Sequence, residues 1–298
     1  MKVKKAIIAT AGYGTRFLPT TKNVPKPMLP LVDVPIIHEV VRECIESGIT
    51  QIIIVTSYGN SAIENYFDNN AELEDYLRRN DKLHRYERFM EVFDKADIAY
   101  VRQHKSLPYG NGTPAIVAKP FLKRGEPFAY LFADDIVFSR KPAIGQLLEK
   151  FDKYSQLDDN LGGVIGTDKL PLDEIIGKLS TIKFKTDDNT IVEQIIEKPS
   201  KKQILTPYAS LGRNIVTYDI FDVLNEKATG KNNEIWFVDA LNRLAQQKNL
   251  YTHVFEGTWI TTGDPLNYLK AIIIAAMQRK DISKQLTKFL RQYIKTNH

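Results

Sequence analysis

Cysteine is nearly absent, with a single residue among 298. One cysteine excludes a disulfide bond within the chain, so we expect a protein of a reducing compartment such as the cytoplasm. Cys44 falls in an apolar helical stripe beside Val40, Val41 and Ile45. We therefore interpret it as a small buried hydrophobic residue rather than as a nucleophile.

Long hydrophobic runs are missing as well. No stretch approaches the roughly 20 apolar residues that a membrane-spanning helix needs. The first residues, MKVKKAIIAT, have too short an apolar core for a signal peptide, and no small-residue cleavage site follows them. From these absences we expect a soluble, cytoplasmic protein that does not attach to a membrane.

A large excess of charge of one sign is also lacking. The 41 basic and 36 acidic residues leave a net charge of +5, and the basic residues are dispersed along the chain. This pattern does not predict a nucleic-acid-binding surface. The five histidines, at positions 38, 84, 104, 253 and 298, are scattered and indicate no zinc site.

What the chain does contain is an alternation of strand-like and helix-like segments, which predicts parallel βαβ units in a doubly wound α/β sheet. The strand candidates are KKAIIAT, QIIIVTS, IAYVRQ, FAYLFADD, LGGVIGT and YTHVFEG, and STIKFKTDDNTIVEQIIEKP is typical of a hairpin that turns at residues 187–189. The helix candidates are PIIHEVVRECIESG, NSAIENYF, NEIWFVDALNRLAQQ, PLNYLKAIIIAAMQRK and SKQLTKFLRQYIK. No repeat or linker interrupts them, so we expect one domain over residues 1–298.

Two segments differ from this alternation. Residues 69–95 are highly charged and contain no glycine or proline, which predicts an exposed helical insert. Residues 264–298 carry the two C-terminal helices, and YLKAIIIAAMQ is more apolar than a solvated helix needs. These helices either pack against the sheet or form an interface between copies of the chain. We expect a homo-oligomer.

The most informative stretch is AGYGTR, at the end of the first predicted strand. Gly12 and Gly14 allow backbone N–H groups to approach an anion closely, and Arg16 and Lys26 add positive charge for phosphate oxygens. Phe17 stands where GxGxxG has its third glycine, and the Gly-Lys-Ser/Thr ending of a P-loop is missing. The spacing alone is compatible with a phosphate site or with a simple glycine turn between solvated cations.

AGYGTR followed by KPMLP resembles the signature of sugar-phosphate nucleotidyltransferases. Within that superfamily, RFLPTTKNVPKPMLPLVDVPIIHEVVRECIESGI is most similar to bacterial UTP–glucose-1-phosphate uridylyltransferases. The similarity continues through SAIENYFD, the charged insert, FADD, IIEKP, GRNIVTYDIFDVL, NEIWFVDAL and TGDPLNYLKA, and so covers almost the whole chain. It implies a Rossmann-like, doubly wound mixed sheet of the nucleotidyltransferase type, with a helical insert and C-terminal helices.

The resemblance also implies a reaction and the residues that perform it. A uridylyl group passes from UTP to glucose 1-phosphate, giving UDP-glucose and pyrophosphate, with Mg²⁺ as cofactor. Such chemistry requires cations and alignment more than a side-chain nucleophile. The resemblance assigns nucleotide binding to the backbone of Ala11, Gly12 and Gly14. It assigns catalysis to Arg16 and Lys26, which stabilise the triphosphate and the transition state.

Further matches concern the base and the sugar phosphate. Gln103 matches the position that reads the pyrimidine edge, and Gly110 matches a glycine close to the base. Glu197 matches a ligand of sugar hydroxyls, Lys198 a ligand of the sugar phosphate, and Gly177 a glycine that the sugar approaches. Because neighbours in an extended strand point apart, we expect a distorted backbone at the Glu-Lys pair.

The implied metal ligand is Asp134. Asp135 is the weaker candidate, because adjacent strand residues point to opposite faces. The family usually carries an acid at the position of Thr261, and that acid completes the magnesium site. A neutral hydroxyl there predicts weaker metal binding, for which Asp264 or Asp239 could compensate.

A second departure leaves other functions open. YGNGTPA replaces the usual GLGHA type, with Thr113 and Pro114 where His and Ala are usual. The same chemistry with another base or another sugar phosphate is one alternative. A catalytically weak regulatory protein that binds nucleotide sugars is another. The retained cations around a scissile phosphate favour the enzyme.

Overall fold

The computed structural model describes residues 2–57, 61–225, 227, 229 and 233–297. Its strands and helices alternate along the chain as the sequence predicts. Its strands are β1 (Lys5–Ala9), β2 (Pro30–Leu31), β3 (Val34–Pro35), β4 (Gln51–Thr56), β5 (Asp97–Arg102), β6 (Phe128–Phe132), β7 (Asp135–Phe138), β8 (Leu161–Lys169), β9 (Ser180–Phe184), β10 (Val192–Glu197), β11 (Tyr208–Val216), β12 (Asn249–Val254) and β13 (Thr258–Thr261). Its helices are α1 (Ile36–Glu46), α2 (Ala62–Phe67), α3 (Ala71–Arg79), α4 (Leu83–Met90), α5 (Thr113–Ala118), α6 (Ala143–Leu157), α7 (Leu172–Ile175), α8 (Ile220–Val223), α9 (Phe237–Ala245), α10 (Pro265–Gln278) and α11 (Ser283–Asn297).

Seven strands form a central mixed sheet in the order β12-β8-β11-β6-β1-β4-β5. Strand β11 runs antiparallel to both of its neighbours, whereas the other pairs in this sheet are parallel. Hairpin β9–β10 forms a separate two-stranded sheet. The prediction of a doubly wound mixed α/β sheet is confirmed.

The central strands are buried on both faces. Ile8 shares one buried cluster with Val40 of α1, and its neighbour Ile7 shares the other with Phe237 of α9. Such strands are continuously apolar because alternate residues point to opposite sides of a covered sheet. Cys44 is fully buried, and burial raises the pKa of its thiol, which confirms its interpretation as a small hydrophobic residue.

The charged segment 69–95 contains α3 and α4, and α10 and α11 lie at the C-terminal end, as their compositions predict. In α10, Ala271 and Ala276 are buried, so one side of this helix packs against the rest of the chain. No helix in the described ranges is long and apolar enough to cross a membrane. A single domain over residues 1–298 stays a prediction.

Three predicted elements have different limits. The strand FAYLFADD ends at Phe132, and the next two residues form a turn. The helix expected from Asn233 begins at Phe237, because the Ile235 backbone bonds instead to the loop before α5. The helix NSAIENYF begins at Ala62, and its first predicted residue, Asn60, lies outside the described residues.

Candidate active site

A cleft of about 490 Å³ lies where β1, β5, β6 and β10 end. Ligands of open α/β sheets bind at the carboxyl ends of the strands. The predicted site residues that line it are Ala11, Gly12, Gly14, Arg16, Lys26, Gln103, Gly110, Asp134, Glu197 and Lys198. Gly177 is not among the lining residues, and its N–H donates to the Pro199 carbonyl at 2.9 Å.

The loop after β1 forms one wall of the cleft. The Thr10 N–H and hydroxyl both donate to the Val55 carbonyl, at 3.0 and 2.8 Å, which fixes the start of the loop. Gly14 has a φ of 62°, in the left-handed region that favours glycine. A Cβ on Gly14 would lie 3.0 Å from the Lys26 Cβ. Glycine at this position therefore lets Lys26 pack against the loop.

Two cations occupy this wall. Lys26 Nζ forms an ion pair with the Asp134 carboxylate. Arg16 Nη1 donates to the Gly263 carbonyl at 3.3 Å, and Arg16 forms no ion pair with any described residue. Burial alone would raise the pKa of Asp134, but the Lys26 charge and hydrogen bond lower it below the usual aspartate value. Asp134 is therefore ionised at neutral pH.

The two adjacent aspartates have different partners. Asp134 lies in the turn and meets Lys26, whereas Asp135 begins β7 and accepts a 2.8 Å hydrogen bond from the Gly212 N–H. Burial and the neighbouring Asp134 charge raise the pKa of Asp135 to about 6. A chain reversal, rather than the alternation of an extended strand, separates the two carboxylates.

A fully buried arginine that the sequence did not single out holds this turn. Arg213 donates to the Phe132 carbonyl at 2.8 Å and to the Asp135 carbonyl at 2.5 Å, at the two ends of the turn that carries Asp134. Its Nε and Nη2 also bond to both oxygens of the Glu43 carboxylate of α1, at 2.9 to 3.1 Å. Strand β11, which carries Arg213, was not among the strand candidates, and an arginine next to the apolar residues Ile215 and Val216 was the available signal, because a buried charge needs a partner.

The opposite end of the cleft carries the Glu-Lys pair. Lys198 has a φ of 45°, so the backbone distortion expected from the sequence is present. The Lys198 ammonium lies 4.8 Å from the centroid of the Trp236 ring, a cation–π contact. Trp236 Nε1 donates to the Glu234 carboxylate at 2.8 Å. Sequence reasoning missed Trp236 and Glu234, both of which line the cleft.

Glu197 has an unusual protonation equilibrium. Burial raises its pKa to about 7, and the charge of Lys198 opposes this rise. Near neutral pH the side chain therefore exchanges between the carboxylic acid, which donates a hydrogen bond, and the carboxylate, which only accepts. A carboxyl group with a pKa near neutrality in a cleft is typical of a functional site.

Gln103 and the loop before α5 form another wall of the cleft. The Gln103 Oε1 is buried and has no hydrogen-bond partner among the described residues. Gly110 has a φ of 137°, and a Cβ there would lie 2.2 Å from the Ile235 carbonyl oxygen. Close approach of two backbone segments therefore requires glycine at this position. Thr113 is fully buried, and its hydroxyl donates to the Pro108 carbonyl at 2.6 Å, which closes the loop.

Thr261 occupies the position where the resembled family carries an acid. Its hydroxyl accepts a 3.1 Å hydrogen bond from the Gly263 N–H beside Asp134. The carboxylate of Asp264 caps α10 by accepting hydrogen bonds from Asn267, at 3.0 and 2.8 Å. Neither Asp264 nor Asp239 lines the cleft, and compensation for the missing acid by either carboxylate stays a prediction.

The carboxylate ligands available in the cleft fit a metal ion that is held largely by the phosphates of its substrate. No cluster of three or more His, Cys, Asp or Glu side chains that could hold a metal occurs among the described residues. Asp134 lines the cleft beside Lys26 and is ionised. Mg²⁺ is commonly held by one or two carboxylates together with phosphates and water, which Asp134 can satisfy.

Comparison with known proteins identifies the family. The Nucleotidyl transferase family model matches residues 5–277. This chain belongs to the nucleotidyl transferase family. The family, the enzyme class and the fold that the resemblance implied are thereby confirmed.

Individual nucleotidyltransferases are similar over nearly their full length. A UTP–glucose-1-phosphate uridylyltransferase of Staphylococcus epidermidis is 38% identical over 293 residues, which are 98% of each chain. The Bacillus subtilis UTP–glucose-1-phosphate uridylyltransferase YngB is 36% identical over 99% of this chain and 96% of its own. The crystal structure of a UDP-glucose pyrophosphorylase complexed with UDP-glucose has a TM-score of 0.81 at 31% identity, covering 93% of this chain and 100% of that one. Nucleotidyltransferases of this kind generally use a divalent metal.

Proposed function

We propose that this nucleotidyltransferase transfers the uridylyl group of UTP to glucose 1-phosphate, giving UDP-glucose and pyrophosphate. The observation that carries the proposal is one cleft with cations at both ends, Arg16 and Lys26 at one and Lys198 at the other. The reaction must bring two polyanions together, and each needs its own counter-charge. The relatives named for this reaction support the choice of substrates.

The chemical step is a direct displacement. An oxygen of the glucose 1-phosphate attacks the α-phosphorus of UTP, a new P–O bond forms, and the bond to the bridging oxygen breaks as pyrophosphate leaves with the electron pair. Arg16, which has no carboxylate partner among the described residues, is available to the triphosphate. Lys26 adds a second positive charge beside Asp134. Such charges lower the barrier when they are in place before charge develops.

A divalent ion bound in the cleft would add to this charge stabilisation. We propose Mg²⁺, with Asp134 as the protein residue that would hold it; when bound, the ion neutralises phosphate charge. The Thr262 N–H and hydroxyl donate to the Asp134 carbonyl at 2.6 and 2.9 Å, so the residue that follows β13 fixes the backbone that carries the carboxylate.

The sugar phosphate is assigned to the Glu-Lys end of the cleft. Lys198 neutralises the phosphate, and the Trp236 ring keeps its ammonium in the cleft when no phosphate is bound. The Glu197 carboxylate accepts hydrogen bonds from sugar hydroxyls. We keep Gly177 as a proposed sugar-binding residue through its backbone link to Pro199, next to Lys198.

The base is assigned to the wall that contains Gln103 and Gly110. The Gln103 Oε1 has no hydrogen-bond partner in the described part of the chain, and we propose that it accepts the N3–H of uracil while the amide nitrogen donates to O4. Cytosine presents an acceptor at N3 instead, so the same amide orientation would leave two acceptors facing each other. We therefore expect UTP to be preferred over CTP.

The experiment that tests the substrates measures initial rates of pyrophosphate release with Mg²⁺ and glucose 1-phosphate. UTP, dTTP, CTP, ATP and GTP are offered separately, and UTP is then repeated with other sugar 1-phosphates. The proposal expects the highest rate with UTP and glucose 1-phosphate. Turnover restricted to another base or sugar would keep the chemistry and reject the named substrates.

Replacing Thr261 with aspartate is expected to lower the Mg²⁺ concentration for half-maximal activity by roughly tenfold, the lower end of the effect of changing groups around a bound metal. The Thr261 hydroxyl lies 3.5 Å from the backbone carbonyl oxygen of Asp134, so an aspartate at this position would add a second carboxylate near Asp134. A magnesium titration measures this change. Thr258→Asp is the matched control, because Thr258 is exposed on the same strand. Equal titrations for wild type and Thr261→Asp would show that this position does not influence the metal.

We propose a homo-oligomer that assembles through α10. Its exposed Leu266, Leu269, Ile273 and Met277 follow helical spacing along one face of the helix, away from the buried Ala271. Light scattering checks this proposal, which requires a mass above the 34.0 kDa of one chain. A monodisperse monomer would reject it.

A cytoplasmic location stays a prediction.

A further inference from the structure

Two tyrosine rings bridge the walls of the nucleotide end of the cleft. Tyr13 lies between the two glycines of the β1 loop, and Tyr109 precedes Gly110 on the loop before α5. Their rings stack with centroids 5.7 Å apart and an interplanar angle of 13°. Tyr13 is 67% exposed and Tyr109 is 46% exposed, so the pair is not part of a buried core.

Another stacked pair, in the central sheet region, is different in kind. Tyr130 and Phe237 also stack, but both are fully buried, and the Tyr130 hydroxyl donates to the Asn111 carbonyl at 2.5 Å. Neither the Tyr13 nor the Tyr109 hydroxyl has a hydrogen bond within the described part of the chain. The exposed pair therefore offers flat apolar faces at the mouth of a polar cleft.

Of the two rings, Tyr109 is the one held in place. The Ile235 N–H donates to the Tyr109 carbonyl at 2.8 Å, and the Gly112 N–H donates to the Ile235 carbonyl at 2.8 Å. The adjoining Gly110 leaves no room for a Cβ against Ile235. These contacts fix the backbone on both sides of the ring, so Tyr109 presents a pre-positioned surface.

The Tyr109 ring also faces the proposed nucleotide loop. Its hydroxyl lies 3.7 Å from where a Cβ on Gly12 would be, and Tyr109 lines the cleft together with Gln103. Tyr13 does not line the cleft and lies on the exposed side of the pair. A flat ring entering the cleft therefore meets the Tyr109 side chain and the Gln103 amide in the same space.

We propose that Tyr109 is the stacking platform for the nucleobase, with Tyr13 as the outer ring that covers this platform. The proposal rests on the proposed function in one respect, that the ligand is a nucleoside triphosphate. Stacking acts on the face of a base and does not distinguish one base from another, whereas Gln103 reads its edge. Tyr109 thus supplies affinity for any nucleotide, and Gln103 supplies the preference for uracil.

The test replaces Tyr109 with alanine, leucine and phenylalanine in the full-length protein. Loss of a base–aromatic stack is expected to raise KM for UTP, and for UDP-glucose in the reverse reaction, by about 5- to 150-fold. The value of kcat should change little, because stacking binds substrate and transition state alike. Tyr109→Leu should behave like Tyr109→Ala, and Tyr109→Phe like wild type. If Tyr109→Ala does not fold, the comparison of leucine with phenylalanine carries the test.

Ligands without a base separate stacking from damage to the phosphate site. KM for glucose 1-phosphate, KM for pyrophosphate, and inhibition by tripolyphosphate should stay within about twofold of wild type in every Tyr109 variant, because none of these ligands stacks. Tyr76→Ala is the matched control, since Tyr76 is 61% exposed on α3 and does not line the cleft. The order of preference among UTP, dTTP and CTP should be unchanged.

Several results would overturn this assignment. Equal KM values for UTP in the leucine, phenylalanine and wild-type proteins would exclude stacking of the base on Tyr109. Equal weakening of UTP and tripolyphosphate would assign Tyr109 to loop structure instead. If wild type shows no turnover of UTP, the proposed function fails, and titration calorimetry with uridine monophosphate still tests Tyr109 by the same leucine and phenylalanine comparison.

Discussion

Replacing Lys26 with alanine is expected to lower kcat by about 10²- to 10³-fold, the usual effect of removing one pre-positioned donor from a developing negative charge. Lys26 packs against Gly14 in the β1 loop and pairs with Asp134, so it lies between the proposed triphosphate and metal sites. Its removal takes one positive charge from a cleft in which two polyanions must meet. Steady-state kinetics with UTP and glucose 1-phosphate measure the effect.

The Lys26 variant should also change the pH profile. At present the Lys26 charge outweighs burial and keeps the pKa of Asp134 below its ordinary value. Without Lys26, burial dominates and the pKa of Asp134 rises, so the carboxylate is lost at a higher pH. The acid limb of the activity profile should therefore move toward neutral pH. Lys22→Ala is the control, because Lys22 is an exposed lysine of the same loop.

A catalytic role for Lys26 would be contradicted by two results. One is a Lys26→Ala enzyme whose kcat is within about twofold of the Lys22→Ala control. The other is a large loss of activity accompanied by an equal loss of folded protein, as judged by denaturant unfolding. Lys26→Arg keeps the charge and should retain more activity than the alanine variant, which separates charge from packing.

Replacing Glu43 with glutamine is expected to lower the free energy of unfolding by about 3–5 kcal/mol, as when one partner of a buried ion pair is removed. Arg213 is fully buried, and Glu43 is the carboxylate that its guanidinium bonds to at 2.9 to 3.1 Å. Burial alone would lower the pKa of Arg213, and Glu43 raises it above its ordinary value. The variant therefore keeps a buried cation and removes its counter-ion.

Urea unfolding of wild type and Glu43→Gln measures this prediction. Glu46→Gln is a matched control on the same helix, since Glu46 is about half exposed and its pair with Arg42 is 3.8 Å long. That control should change the free energy of unfolding by less than about 0.5 kcal/mol. A Glu43→Gln variant as stable as Glu46→Gln would show that the Arg213 charge is satisfied by the carbonyls of the turn.

Much of the fold could be predicted because it depends on local patterns. Apolar runs such as QIIIVTS correspond to strands that are covered on both faces, and the C-terminal helices match their apolar spacing. The hairpin β9–β10 also lies where its turn residues predicted it. The predicted ends of helices and strands were less accurate where contacts with a distant segment determine them. Helix α9 begins late because Ile235 pairs with the backbone around Gly110, more than a hundred positions earlier.

The candidate site was predictable where it follows a strand end and not where it depends on side-chain partners. AGYGTR follows β1, FADD begins at the last residue of β6, and IIEKP spans the end of β10. The site residues predicted from these three motifs line one cleft. The Arg213–Glu43 pair joins residues 170 positions apart, and no local pattern indicates which carboxylate meets which guanidinium. Tyr109 and Trp236 are similar cases, because their ring contacts depend on how three separate loops meet.

The most direct test of the central claim follows ³¹P nuclear magnetic resonance spectra of wild-type protein with UTP, glucose 1-phosphate and Mg²⁺. We expect UTP to be consumed as UDP-glucose and pyrophosphate appear in equal amounts. We also expect UTP to stay unchanged when glucose 1-phosphate is left out. UTP that remains intact in the full mixture, while the protein still binds UDP-glucose, would contradict catalysis and support a regulatory binding protein instead.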